Sequence, residues 1–401
     1  MNQRLTQTVA KTILCFLCFF VALIGCRSII DRQDVRPRVL RDVPARNLAY
    51  RLSPDVTPPS TDIDDFDKFA AVANDFAAKR KDEALLRTVA SPDGRRVLAL
   101  YGAADEPGSN FRIDLYNSDG EFLRNLIPPD IACLFPETVT WSPDGNFINF
   151  IARKRVMPSP SPTPIDEPTP EVSASPAPSP LASVAPIFAP VMSFFTEQIY
   201  ICNRDGYDLK PLTTREGLIY FYFVWAPDGH AIAALACKED EWNARERQGK
   251  LPAGRPRLLG LDGTERLLDD GLTEALPVWS PDASKIATAF DTDVAIYDSG
   301  GKTPTQGRLP LGDQLIAASV EYEQKTSTKK VNNNGNANSN TQNVSSSPAA
   351  PASFNPIVRL DWRRPEALYF QTAYVRLQPE TINTFQRWHL LTLSAQAAIL
   401  K

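Results

Sequence analysis

One phrase limits what this chain can fold into more than any other feature. Trp141-Ser142-Pro143-Asp144-Gly145 returns as Trp225-Ala226-Pro227-Asp228-Gly229 and as Trp279-Ser280-Pro281-Asp282-Ala283. A worn copy comes earlier, Ala90-Ser91-Pro92-Asp93-Gly94, and a looser one later, Trp362-Arg363-Arg364-Pro365-Glu366. Each precedes an apolar stretch, so the chain is built from repeated supersecondary units. Within the phrase proline fixes φ and glycine accepts φ > 0, which is the chemistry of a tight turn between two strands. Recurrence in unit after unit assigns Asp93, Asp144, Asp228 and Asp282 to turn formation rather than to acid–base work.

Each unit reads as four strands. The first runs into the phrase, as over 136–142. The second follows it, at 96–100, 147–152, 231–236, 285–290 and 367–373. The third, at 113–117, 198–203, 257–261 and 294–298, ends at Asp119-Gly120, Asp205-Gly206, Asp262-Gly263 or Gly300-Gly301. The fourth is short, at 122–126, 209–212, 265–268 and 307–311, and the last unit offers 388–394 and 397–400. The stretch 218–224 is apolar without alternation, as in a strand covered on both faces. Four antiparallel strands repeating roughly every 40–50 residues, once insertions are removed, describe the blades of an all-β β-propeller. Five blades fit residues 84–401. A sixth needs a strand at 47–52 or the stretch 315–322. The tryptophans are expected to pack between blades.

The order Trp-Ser-Pro-Asp-Gly, apolar strand, Ile199-Tyr200, Asp205-Gly206, Leu212-Thr213 resembles the WD40-like Pro-Asp repeat of the TolB-like propellers of bacterial envelopes. The same repeat occurs in the propellers of prolyl-oligopeptidase relatives. The resemblance implies a propeller over 84–401 and an envelope scaffold. The hydrolase part of the second group has no counterpart up to residue 401, and the N-terminal domain of TolB is replaced by a tether and one helix.

The N-terminus reads as a targeting segment. Arg4 and Lys11 precede an apolar run over 13–25, and no acid appears before Asp31. That run is shorter than the roughly 20 residues of a bilayer span and suits a signal peptide over 1–25. It ends in Leu23-Ile24-Gly25-Cys26, which resembles the lipobox of bacterial lipoproteins. The resemblance implies cleavage before Cys26 and a diacylglycerol on its thiol. Residues 26–60, rich in Arg, Asp and Pro, read as a tether. Residues 61–83 read as an amphipathic helix, with Thr61 as N-cap, Asp62, Asp64 and Asp65 at its positive end, and Phe66, Phe69, Ala70, Ala73 and Ala77 as its apolar stripe. An envelope protein facing the periplasm or the exterior is expected. There Cys133, Cys202 and Cys237 are either buried thiols or include a Cys202–Cys237 bridge.

Two low-complexity segments interrupt the blades, a proline-rich one at 156–190 and an Asn/Ser/Ala-rich one at 326–353, the latter expected to lack structure. A third excursion, 238–255, is charged. Strand polarity places all three on one face, because second-to-third loops and blade-to-blade connections share it. Loops on a rigid scaffold carry binding, and Trp and Arg favour binding hot spots. Tyr220, Trp242, Arg245 and Arg247 are therefore the candidate partner-binding residues.

Other chemistry is not evident. A net charge of −4 gives no footprint for nucleic acid. His230 and His389 stand without a nucleophile arrangement, and no metal spacing, phosphate loop or cofactor motif occurs. The expectation is a non-enzymatic scaffold, anchored in the membrane through Cys26, for a protein or glycan partner. The alternative is a secreted propeller enzyme of the polysaccharide lyase or cyclase type.

Overall fold

The computed structural model describes residues 39–60, 69–105, 111–154, 196–333, 356–374 and 385–395. Two 3-10 turns, Leu40–Asp42 and Ala45–Asn47, lead into β1 (Leu48–Ser53), and α1 (Ala70–Lys79) precedes the blades. Blade one is β2 (Glu83–Ala90), β3 (Arg96–Ala103), β4 (Arg112–Asn117) and β5 (Phe122–Asn125). Blade two is β6 (Ile131–Leu134), β7 (Thr140–Trp141), β8 (Phe147–Lys154), β9 (Gln198–Asn203) and β10 (Lys210–Pro211). Blade three is β11 (Leu218–Trp225), β12 (Ala231–Lys238), β13 (Arg255–Gly260) and β14 (Glu265–Leu267), with α2 (Glu239–Arg247) between β12 and β13. Blade four is β15 (Val278–Trp279), β16 (Lys285–Phe290), β17 (Asp293–Asp298) and β18 (Gln306–Pro310), followed by α3 (Gly312–Asn333). Blade five is β19 (Ile357–Arg364), β20 (Ala367–Tyr374) and β21 (Phe385–Ala395), completed by β1.

With that last pairing the described residues make five blades. β1 joins β21 antiparallel, Leu48 opposite Ala395 and Ser53 opposite Leu390, so the strand expected at 47–52 is the outer strand of the fifth blade and not the start of a sixth. The stretch 315–322 is helical, within α3. The fourth strand expected at 397–400, Cys26 and the whole segment 156–190 lie outside the described residues. The single first strand expected at 136–142 is split into β6, a 3-10 turn at Pro136–Thr138 and β7.

The repeat phrase does the same job in each blade. Ser91, Ser142 and Ser280 donate to Asp93, Asp144 and Asp282 at 2.6, 2.5 and 2.7 Å. Each serine Oγ then accepts the backbone N–H five residues on, at 2.9 Å in all three, which closes the turn onto the second strand. Blade three has Ala226 instead, and Asp228 accepts only the His230 N–H at 3.1 Å. Ala283 takes φ 57°, the left-handed conformation that glycine supplies in the other turns.

The tryptophans join neighbouring blades. Trp141 Nε1 donates to Val89 O of blade one at 3.0 Å, and Trp279 Nε1 to Val224 O of blade three at 3.1 Å. Trp225 is equally buried, but its Nε1 finds no partner among the described residues, and Trp362 turns to its own Pro365 O at 3.2 Å. Apolar clusters fuse blades one and two, two and three, three and four, and four and five. Each fully buried Leu, Ile or Phe in them contributes about 1.5–3 kcal/mol.

Coverage of both faces of every sheet fails at the two ends of this series. The free face of blade one, with Val97, Ala99, Tyr101 and Tyr116, is covered by α1 through Val72 and Phe76. Arg80 latches the helix by pairing with buried Asp114 at 2.7 Å and lying over the rings of Phe76, Tyr101 and Phe122. The stripe of α1 is thus Phe69, Val72, Ala73 and Phe76. Ala70 and Ala77 are exposed, Lys79 ends the helix, and Glu83 already belongs to β2, while Thr61 and Phe66 lie outside the described residues. The corresponding face of blade five carries Arg51, Arg359, Tyr369, Gln371 and Thr392, exposed or half-buried. A polar outer face ends a repeat stack without needing another repeat.

The tether is shorter than its composition suggests. Leu40, Val43, Ala45 and Leu48 pack into the cluster between blades four and five. Ala45 N–H donates to Asp298, Arg46 N–H to Thr305 Oγ1, and Lys285 Nζ to Val43 O, so folded structure begins by residue 40. The 326–353 segment also overlaps order, since α3 runs to Asn333.

Candidate functional site

Strand polarity gives the disc a turn face and a loop face. The Pro-Asp turns and the third-to-fourth turns share the turn face and touch across blades. Arg204 pairs with Asp93 at 2.7 Å and Arg96 with Asp205 at 3.2 Å. The loop face carries the connection 238–255, the link from β14 to β15 and the start of α3.

The 238–255 connection is ordered around α2. Its first turn, Glu239, Asp240 and Glu241, complements the positive helix end, and Arg245 and Arg247 complement the negative one. Glu241 accepts the Lys238 N–H at 2.9 Å and a two-pronged contact from Arg255 at 2.7 and 2.8 Å. The Arg255 guanidinium holds the Glu241 carboxyl below the usual range. Trp242 turns inward and packs on Phe135 and Phe221, with ring centroids 5.9 and 5.6 Å away. Arg245 donates to Leu251 O at 2.7 Å and pairs with Glu274. Arg247 is exposed and returns to Asn243 O at 3.1 Å.

The four candidate residues therefore part company. Tyr220 is fully buried between blades two and three, where burial and then the Glu265 charge push its hydroxyl pKa up, so it offers nothing to solvent. Its place on the both-sides-apolar β11 is why it is hidden. Trp242 and Arg245 build the site, and Arg247 lies at its rim.

What they build was missed by the sequence reading. Gly254 and Thr273 exchange backbone hydrogen bonds, both 2.9 Å, which lays residues 251–254 beside 272–276. Leu251, Leu272 and Leu276 are left 70%, 38% and 42% exposed around the Arg245–Glu274 pair. Ile316 and Val320 on α3 and Val358 at the start of β19 are also exposed. The sequence signal was Leu251 beside Pro252 in a charged loop, and Leu272 and Leu276 in a connection ahead of Pro277. Large apolar residues grouped at exposed loops mark interaction surfaces more often than scattered ones do.

One further group lies beneath this face. Glu197, at the start of β9, is buried, with one oxygen 3.7 Å from Arg153 and Oε2 making no hydrogen bond. Burial raises its pKa, and Arg153 offsets part of the rise. Among the described residues the other buried carboxylates are paired, Asp114 to Arg80 and Asp298 to Lys285, and half-buried Glu265 pairs with Arg257. Cys133, Cys202 and Cys237 are buried and none is in a disulfide, so the Cys202–Cys237 bridge is not formed. Burial pushes the Cys202 and Cys237 thiols up to about 12, which keeps them unreactive near neutrality. Among the described residues no group of three or more His, Cys, Asp or Glu is placed to hold a metal ion, and no helix is long and apolar enough to cross a membrane.

Five antiparallel sheets, four strands each once β6 and β7 are taken as one broken strand, joined blade to blade and marked by the Pro-Asp turn, define a β-propeller. Solved structures to which the chain is similar include a putative TolB from Agrobacterium tumefaciens, at 12% identity over 78% of this chain and 90% of that one, TM-score 0.30. An oligogalacturonate lyase in complex with manganese aligns at 11% identity over 77% of this chain and 64% of that one, TM-score 0.36. Prolyl oligopeptidase B from Galerina marginata aligns at 11% identity over 85% of this chain and 40% of that one, TM-score 0.39. No protein-family profile matches the chain, and no curated protein sequence matches it.

Proposed function

We propose that this protein is a lipid-anchored scaffold of the bacterial envelope, that its propeller is non-catalytic, and that it holds a protein partner on the loop face of blades three and four. The observation that carries the reading is the exposed group Leu251, Leu272 and Leu276 around the Arg245–Glu274 pair. An apolar centre with an arginine beside it suits a protein surface. A glycan is favoured less, because Trp242 is partly buried and packs its ring on Phe135 and Phe221 rather than presenting it as a free platform for a sugar. The anchor is the diacylglycerol expected on Cys26.

A photo-crosslinking residue at position 251 tests the reading against one at position 302, an exposed lysine on the turn face. A defined protein adduct at 251, absent at 302 and lost when Leu272→Asp is added, supports it. Equal adducts at both positions overturn it. The enzyme alternative rests on Glu197, a buried carboxyl under the same face with one oxygen that makes no hydrogen bond among the described residues. It calls for cleavage of an acidic polysaccharide that Glu197→Gln abolishes.

A further inference from the structure

The first described residues emerge on the face opposite the exposed leucines. β1 runs from the turn face to the loop face, because it is antiparallel to β21, which starts on the loop face at Phe385 and ends on the turn face at Ala395. The residues before β1 therefore lie at the turn face, and their contacts agree. Lys285, which follows a Pro-Asp turn, holds Val43 O at 2.7 Å. Asp298, at the turn-face end of β17, holds Ala45 N at 3.0 Å. Leu40 lines a small cavity with Asp282 and Pro365 of the turns of blades four and five. Gly307 makes room for this segment, since a Cβ there would lie 2.4 Å from Ala45 O. Val39, 62% exposed, leaves the domain from this side.

Chain length then limits how the disc can sit. Val39 is 13 residues after Cys26. Fully extended, that stretch reaches about 45 Å. The eight-residue strands β3, β8 and β12 give the disc a thickness of about 26 Å before its loops are added. To set the loop face on the bilayer, the chain would have to climb the rim nearly taut. With the turn face toward the bilayer it has slack.

We infer that the propeller stands on the membrane with its Pro-Asp turn face toward the lipid and its loop face directed away. Leu251, Leu272 and Leu276 are then a surface for a partner approaching through the aqueous space, not an insertion device for lipid. The inference rests on the proposed anchoring through Cys26, and its test separates the two.

The full-length lipidated protein is reconstituted in phosphatidylethanolamine–phosphatidylglycerol vesicles carrying a headgroup energy acceptor. A donor dye is placed at Lys302→Cys on the turn face or at Arg247→Cys on the loop face, both exposed positions. With the two faces about 26 Å apart, transfer from 302 is expected to exceed transfer from 247 roughly twofold or more. Equal transfer, or stronger transfer from 247, with fatty acid present on Cys26, overturns the orientation and leaves the anchor standing. No transfer from either dye, with no fatty acid on Cys26 and no change in Cys26→Ala, overturns the anchor and the orientation with it.

Discussion

Acid should loosen the closure of the fifth blade through one histidine. His389 on β21 is 1% exposed, stacked on Phe370 at 5.0 Å, with Thr372 Oγ1 3.0 Å from Nε2 and the Asp55 N–H 3.4 Å from Nδ1. Since Asp55 N–H can only donate, Nδ1 accepts, and Nε2 carries the proton and donates to Thr372. Burial, with the Arg387 charge, lowers its pKa to about 4, while Asp55 pulls the other way. The folded state thus binds this proton less well than the unfolded state, whose pKa is about 6.5. The stability contribution is complete above pH 6.5 and is lost as pH falls. From this group the loss is about 2 kcal/mol at pH 5 and about 3 kcal/mol below pH 4. Protonation also places a second N–H against that of Asp55, where β1 ends. Urea unfolding of wild type and His389→Gln between pH 7.5 and 4.5 isolates the effect, because carboxylate contributions cancel between the two. Wild type should lose about 2 kcal/mol more than the variant between pH 7.5 and pH 5. Parallel curves for the two proteins would refute the reasoning.

Two other perturbations follow from the packing. Trp141→Phe should cost about 1 kcal/mol more than Trp225→Phe in urea unfolding, since both remove the same buried volume but only Trp141 gives up a hydrogen bond, to Val89 O. Lys285→Met should destabilise by about 3 kcal/mol, read in the same assay, by leaving Asp298 without its buried partner. Burial alone would raise the Asp298 pKa, but Lys285 and Thr305 hold it below the usual range, so the variant should also lose stability at a higher pH than wild type.

Turn chemistry made the blades legible. Ser-Pro-Asp-Gly fixes a strand end by local hydrogen bonds, and those bonds are the ones found at Asp93, Asp144 and Asp282. The closure was half legible, because a strand at 47–52 has a β pattern but no local sign that its partner lies at 390–395. The helix was mis-striped because alanines at helical spacing are cheap to expose. Val72 and Phe76, with more area to bury, decide which side of α1 meets Tyr101 and Tyr116. The candidate surface shares the 238–255 connection with the residues read from the sequence, but its exposed leucines were not among them. Trp242 reads as a contact residue, yet an indole beside Phe135 and Phe221 gains more from the core. Leu251 and Leu272 come together only through the Gly254–Thr273 pairing, which no local pattern announces.

The central claim is that the loop face of blades three and four is the working surface. The most direct measurement is crosslinking yield around the disc in native envelopes, with the photo-reactive residue placed in turn at Leu251, Leu272 and Leu276, and at Asp119, Asn146 and Lys302 on the turn face. One partner protein captured from the first three positions, and not from the last three, is the predicted result. Capture of that partner from the turn-face positions, with none from the leucines, would contradict it.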